Sequence, residues 1–187
     1  PILQPAQEEK QEKRLEEKLQ GNKYQEEIHD VFQRILRNSK RIQARKLFPY
    51  NIVLIGFMGA GKSTISDYLS TMFDMKTGRN CIISCGGGVA LRSENVVEMK
   101  KNGKVVLLTA SPETIYERVK DSNDRPLLKE NKSVEFIAQL MEKRKEKYED
   151  AADVVIRTDG KTILQICEEL ITRLMELKDC MKRDIEE

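Results

Sequence analysis

The residues Gly56-Phe57-Met58-Gly59-Ala60-Gly61-Lys62-Ser63-Thr64 hold the clearest chemistry in this chain, because they fit G-x-x-x-x-G-K-[ST]. Glycines let the backbone turn so that successive N–H groups point at one anion, and a helix that starts at the lysine adds its positive end. A pattern of this kind cradles the phosphates of a nucleotide. Gly59, Ala60, Gly61, Lys62, Ser63 and Thr64 are the expected contacts. Lys62 is expected to reach the β and γ phosphates, and Ser63 to offer its hydroxyl to Mg²⁺. The pattern needs a strand before it and a helix after it. The β-branched run Asn51 to Ile55 and the helical pattern Ser63 to Phe73 supply both.

Those flanks belong to a longer alternation. Cys81 to Cys85, Lys104 to Thr109 and Asp153 to Arg157 read as further strands. Ser93 to Lys101, Pro112 to Lys120, Ser133 to Tyr148 and Thr162 to Leu177 read as helices. Strands alternating with helices predict an α/β fold, a parallel sheet with helices on both faces. The stretch before Phe48 has a different grammar. It is rich in Glu, Lys, Gln and Arg, carries a single glycine, Gly21, and predicts a helical hairpin, with a domain boundary between residues 48 and 49 where Pro49 breaks the helix. In its second helix Ile28, Phe32, Ile35, Ser39 and Ile42 form one stripe.

Composition narrows the function classes. Lys plus Arg number 33 against 31 Asp plus Glu, a net charge of +2, so charge gives no argument for nucleic acid or an anionic membrane as partner. The longest apolar run is far short of the ~20 residues that span a bilayer. No charged-then-apolar leader opens the chain, and a cytoplasmic protein is expected. Cys81, Cys85, Cys167 and Cys180 include no CxxC pair and lie far in sequence from the single histidine, His29, which argues against zinc. Cys81 and Cys85, alternating with Ile83, are expected to be small core residues.

Four segments together, GFMGAGKST, ISCGGGVALR from Ile83 to Arg92, DRPLL from Asp124 to Leu128 and RKEKYEDAADVVI from Arg144 to Ile156, resemble the shikimate kinases. The resemblance covers roughly residues 50 to 175, apart from one gap. It implies an ATP- and Mg²⁺-dependent transfer of the γ-phosphate to the 3-hydroxyl of shikimate in aromatic amino-acid biosynthesis. It assigns Lys62 and Arg125 to the transferring phosphoryl group, Arg125 in a polar stretch from Lys120 to Lys132 that reads as a lid. It also implies Arg118 near adenine, and Gly86, Gly87, Gly88 and Arg144 at shikimate, the arginine gripping the carboxylate. A kinase for another small alcohol, such as gluconate or a nucleoside, fits less well because the glycine triplet and the RPLL sequence follow the shikimate pattern.

The gap falls after the helix that follows the phosphate loop. There the resemblance implies a strand bearing Asp-x-Asp and a substrate-binding helical insert, yet only Asp74 to Asn80 intervene. Asp74 reads as a polar turn residue. Either the natural protein has a segment absent here, or the shortening is genuine and the chain is an ATP-binding module without catalysis. The amino-terminal hairpin, through Ile2 to Glu9 and Ser39 to Gln43, resembles the last two helices of an all-helical chorismate mutase. That resemblance places Glu8, Ser39 and Gln43 in a degenerate pocket, because Gln7 stands where that family uses arginine. It implies a remnant without mutase activity that pairs two copies of the chain.

Overall fold

A computed structural model describes residues 5–73, 75, 80–121 and 133–186, with side chains through residue 178. Its elements are α1 (Pro5–Leu19), α2 (Gln25–Leu47), β1 (Asn51–Ile55), α3 (Lys62–Phe73), β2 (Ile82–Ser84), a 3₁₀ turn (Val89–Leu91), α4 (Ser93–Lys101), β3 (Gly103–Thr109), α5 (Pro112–Val119), α6 (Val134–Ala151), β4 (Val154–Arg157) and α7 (Ile163–Glu186). The four strands pair in the order β2-β1-β3-β4, all parallel. Val53 lies opposite Ile83 on one side and Val105 on the other.

Because side chains alternate along a strand, the sheet has two apolar faces. Ile52, Leu54, Val106, Leu108 and Ile156 meet α2, α3, α5 and α7 through Phe48, Leu69, Ile115 and Leu170. Val53, Ile55, Val105 and Leu107 meet Ala90, Tyr148 and Ala151 on the opposite face. Burying each large apolar side chain contributes roughly 1.5–3 kcal/mol, and this two-sided burial is what holds the strands parallel and flat on their helices. Helix starts are set locally. Ser111 accepts the Thr114 N–H at 3.2 Å with Pro112 following it, and Ser133 accepts the Phe136 N–H at 3.2 Å.

The hairpin turns near Gly21, whose φ is +79°. Its second helix runs into the main core: Ala44 and Phe48 are fully buried, and the Phe48 ring meets those of Tyr50 and Phe73 edge-on at 6.2 and 6.1 Å. Lys178 on α7 donates to the carbonyls of Lys46 and Leu47, closing the end of α2. The remainder of the stripe stays in solvent, with Val31, Ile35 and Ile42 more than half exposed. Among the described residues no helix is long and apolar enough to cross a membrane.

Two expectations need correction. Cys81 and Cys85 are half-buried residues bracketing a short edge strand, and between them Ile83 and Ser84 are exposed. The reason is that β2 pairs only with β1, so one side of it lacks a neighbour among the described residues. The cysteine buried completely is Cys167 on α7, where burial pushes its thiol up to about 12. The last helix also continues past Leu177 to Glu186.

Candidate active site

The carboxyl ends of β1, β2 and β4 border one cleft of about 580 Å³. The phosphate loop leaves β1, the glycine triplet leaves β2, and Thr158 leaves β4. Arg118 on α5 and Lys161 ahead of α7 complete the rim. In the loop, Gly56, Gly59 and Gly61 adopt φ of +137°, +77° and +97°. At Gly56 the need for glycine is absolute, since a Cβ there would stand 2.2 Å from the Leu108 carbonyl oxygen. The close passage of β1 past β3 therefore sets the start of the loop. Lys62 opens α3 and donates from Nζ to the carbonyls of Gly56 and Phe57, both at 2.9 Å. Ser63 and Thr64 are exposed on the first turn of that helix.

Arg118 is anchored as well as exposed. It donates to the Gly59 carbonyl at 3.2 Å and to the Thr158 hydroxyl and carbonyl at 3.0 and 3.3 Å. Thr158 is in turn held by its N–H and hydroxyl, which donate to the Thr109 carbonyl at 2.8 and 3.1 Å. The next residue, Asp159, accepts from the Ser111 N–H at 2.8 Å and from Arg157 Nε at 2.9 Å. Burial opposes ionisation of Asp159, but the Ser111 N–H, Arg157 and the Thr114 and Ser111 hydroxyls outweigh it and hold the carboxyl well below the usual carboxylate range.

None of Gly86, Gly87 and Gly88 has positive φ, so a turn requirement does not account for them. A Cβ at Gly88 would meet nothing within 4 Å, and one at Gly86 only Val89 at 3.9 Å. Gly86 and Gly87 line the cleft. Arg144 is half-buried on α6, its guanidinium 5.7 Å from the centroid of the Phe57 ring. Cys85 lines the same cleft. Burial raises its thiol and the Lys62 ammonium pulls the other way.

A sequence profile described as "Shikimate kinase" matches residues 73–175, more than half of the chain. A shikimate kinase of Persephonella marina is 33% identical over 164 aligned positions, covering 66% of this chain and 98% of the relative. The chain belongs to the shikimate kinase family. A Sulfurihydrogenibium shikimate kinase is 34% identical, over 66% of this chain and 97% of its own length. The Aquifex aeolicus shikimate kinase structure superposes with a TM-score of 0.53 at 27% identity, over 66% of this chain and 95% of that one. At 19% identity, the Acinetobacter baumannii shikimate kinase solved in complex with shikimate shares the fold, with a TM-score of 0.66 over 72% of this chain and 98% of that one.

Within the family this chain is short on the inside. Since 66% of 187 residues is about 123, roughly 40 of the 164 positions aligned with the Persephonella protein fall opposite no residue here. In the structure α3 ends at Phe73 and β2 begins at Ile82, which leaves no room for a strand and a helical insert between them. Asp74 lies outside the described residues, and so do Arg125 and the whole DRPLL segment.

The other expected residues fall into three groups. Gly59, Ala60, Gly61, Lys62, Ser63, Thr64, Gly86, Gly87 and Arg118 line the one cleft. Gly88 and Arg144 are not among the residues lining it. Glu8, Ser39 and Gln43 lie on the hairpin helices. Glu8 pairs with Lys40 at 2.5 Å, while Gln43 and Ser39 bond each other at 3.3 Å on the exposed side of α2. Thr158 and Lys161 were not singled out by the sequence. Their signal was present, because Thr158 to Thr162 follows a strand at the carboxyl edge of a parallel sheet.

Proposed function

We propose that this chain transfers the γ-phosphate of ATP to the 3-hydroxyl of shikimate. The observation that carries the reading is a single cleft lined by both the phosphate loop and two glycines of the triplet, Gly86 and Gly87. Membership of the shikimate kinase family supports the same acceptor. In this reading the loop N–H groups and the start of α3 hold the β and γ phosphates. Lys62 exchanges the Gly56 and Phe57 carbonyls for phosphate oxygens. Arg118 borders the base, Arg125 adds charge at the transferring phosphoryl group, and Arg144 grips the shikimate carboxylate beside Gly86 to Gly88. Catalysis is positioning and electrostatics throughout, with no covalent enzyme intermediate.

Mg²⁺ fits this donor set. Ser63 is an exposed hydroxyl on the cleft, and among the described residues no cluster of three His, Cys, Asp or Glu could hold a metal, so the ion would arrive on the nucleotide and share its phosphate oxygens. When bound it offsets charge on the phosphate oxygens during transfer.

Residues 49–187 form the kinase domain of this reading, and residues 1–48 a hairpin read as a chorismate mutase remnant. Glu8, Ser39 and Gln43 are its degenerate pocket, and mutase turnover is not expected. The exposed Val31, Ile35 and Ile42 support a role in pairing two copies of the chain. A cytoplasmic location goes with these assignments.

The shortened link between α3 and β2 favours a second reading, an ATP-binding module without catalysis, because the acceptor side lacks the segment that would position the hydroxyl. Misplacement by ~1 Å costs ~100-fold in rate. Measuring ADP release from Mg-ATP with and without shikimate separates the two. Shikimate-dependent release that Lys62→Ala lowers by ~100-fold or more supports the kinase. ATP binding with no such release in the unaltered chain supports the second reading and ends the first.

A further inference from the structure

The glycine triplet is tied to the rest of the site from one side by a residue that the kinase reading leaves without a role. Tyr148 lies on α6, one turn after Arg144, and is 5% exposed. Its hydroxyl donates to the carbonyl of Gly87. Burial raises its phenol above the usual range, with the Arg144 guanidinium pulling the other way, so the hydroxyl keeps its proton and remains a donor throughout the neutral range. The position of Gly87 shows what this bond secures. A Cβ built there would stand 3.5 Å from the Gly56 carbonyl oxygen, 3.6 Å from the Tyr148 hydroxyl and 3.7 Å from the Met58 nitrogen. The middle glycine is thus held between the phosphate loop and α6. Arg144 meets the same loop over the ring of Phe57, itself 4% exposed. One helix face therefore touches the start of the phosphate loop through Arg144 and the triplet through Tyr148.

We propose that Tyr148 is a positioning residue: its hydroxyl locks Gly87 against the phosphate loop, so that the acceptor and phosphate sides of the cleft keep a fixed separation. The proposal rests on the kinase reading for its kinetic consequence but not for its structural one. Among the described residues no strand lies on the outer side of β2, and Ser84 at its end and Cys85 and Gly86 beyond it are exposed or half-exposed. A tether from α6 is the restraint available where sheet pairing runs out. Transfer between two bound groups is steep in their separation, so a bond that fixes the backbone of Gly87 from behind controls the rate through geometry.

The substitution that tests this is Tyr148→Phe, which keeps the buried ring and removes only the donor. Hydrogen exchange of the 85–91 segment, measured on the full chain with no ligand, is expected to accelerate at least threefold while exchange in β3 is unchanged. In steady-state assays the KM for shikimate is expected to rise and kcat to fall, each by ~3- to 10-fold, with the KM for ATP within twofold of the parent. Unchanged exchange across 85–91 overturns the proposal whether or not the chain turns over. Equal rises in both KM values, or a lower Tm with both KM values intact, overturn it too, because they describe a core residue and not a tether. Absence of shikimate-dependent turnover in the parent chain, alongside faster exchange in the variant, removes the kinase reading and leaves the tether standing.

Discussion

The phosphate side and the acceptor side of the cleft are adjacent in the sheet and differ in how the fold supports them. The phosphate loop follows β1, which is paired on both edges and has four of its five residues buried. The triplet follows β2, which among the described residues is paired on one edge and has a single buried residue of three. A contiguous nine-residue motif therefore stands on the best-supported strand, whereas the acceptor side is gathered from β2, α6 and the loops. The lesson is that the expected phosphate contacts are contiguous in the chain, being local backbone and one lysine. Acceptor placement depends on elements far apart in the chain.

That contrast is sharpest in stability. Leu54 is fully buried in β1, and Leu54→Ala is expected to lower unfolding free energy by ~2–5 kcal/mol in urea titration. Ile83 in β2 is 39% exposed, and Ile83→Thr is expected to cost under ~1 kcal/mol in the same measurement. A loss at Ile83 as large as that at Leu54 would break the comparison and mean that β2 is covered in solution.

The acceptor side has its own kinetic signature. Arg144→Ala is expected to raise the KM for shikimate ~10- to 100-fold while leaving that for ATP within a few-fold, as loss of a charge-assisted carboxylate contact requires. An equal effect on both substrates would show that the Phe57 contact, and hence the phosphate loop, was what Arg144 served.

The smallest effect concerns the brace behind Arg118. Asp159 has a depressed carboxyl in the folded state, so its contribution is present above the ordinary aspartate range near ~4 and is lost as pH falls through the lower folded value. Asp159→Asn is accordingly expected to lower Tm by a few degrees at pH 7, worth ~1 kcal/mol, with the gap to the parent closing below pH ~4. A gap that persists unchanged at pH 3 would assign the effect to lost packing, not charge.

Several of these features were legible before any coordinates. The β-branched run ending at Ile55, the glycines and Lys62 stand next to one another, so strand, loop and helix follow from adjacent residues. The helical patterns from Pro112 and from Ser133 were read within one residue of the observed helix starts. Cys81 and Cys85 were misread because alternation reports which residues share a face. It does not report whether another strand covers them. Arg118 was placed near adenine by resemblance alone, and its hold on Gly59 and Thr158 joins residues 59 and 40 positions away.

Local pattern thus decided the phosphate loop, the alternating strands and helices, the hairpin before Phe48 and the shortness of the link after Phe73, since each depends on residues within a turn or two of one another. The tertiary structure alone decided the strand order that leaves β2 at an edge among the described residues, the meeting of Arg118 with Thr158, the bond from Tyr148 to Gly87 and the pairing of Glu8 with Lys40 across the hairpin. These depend on which distant segments the sheet and its two apolar faces bring into contact, and hydrophobic spacing along a chain carries no record of that choice.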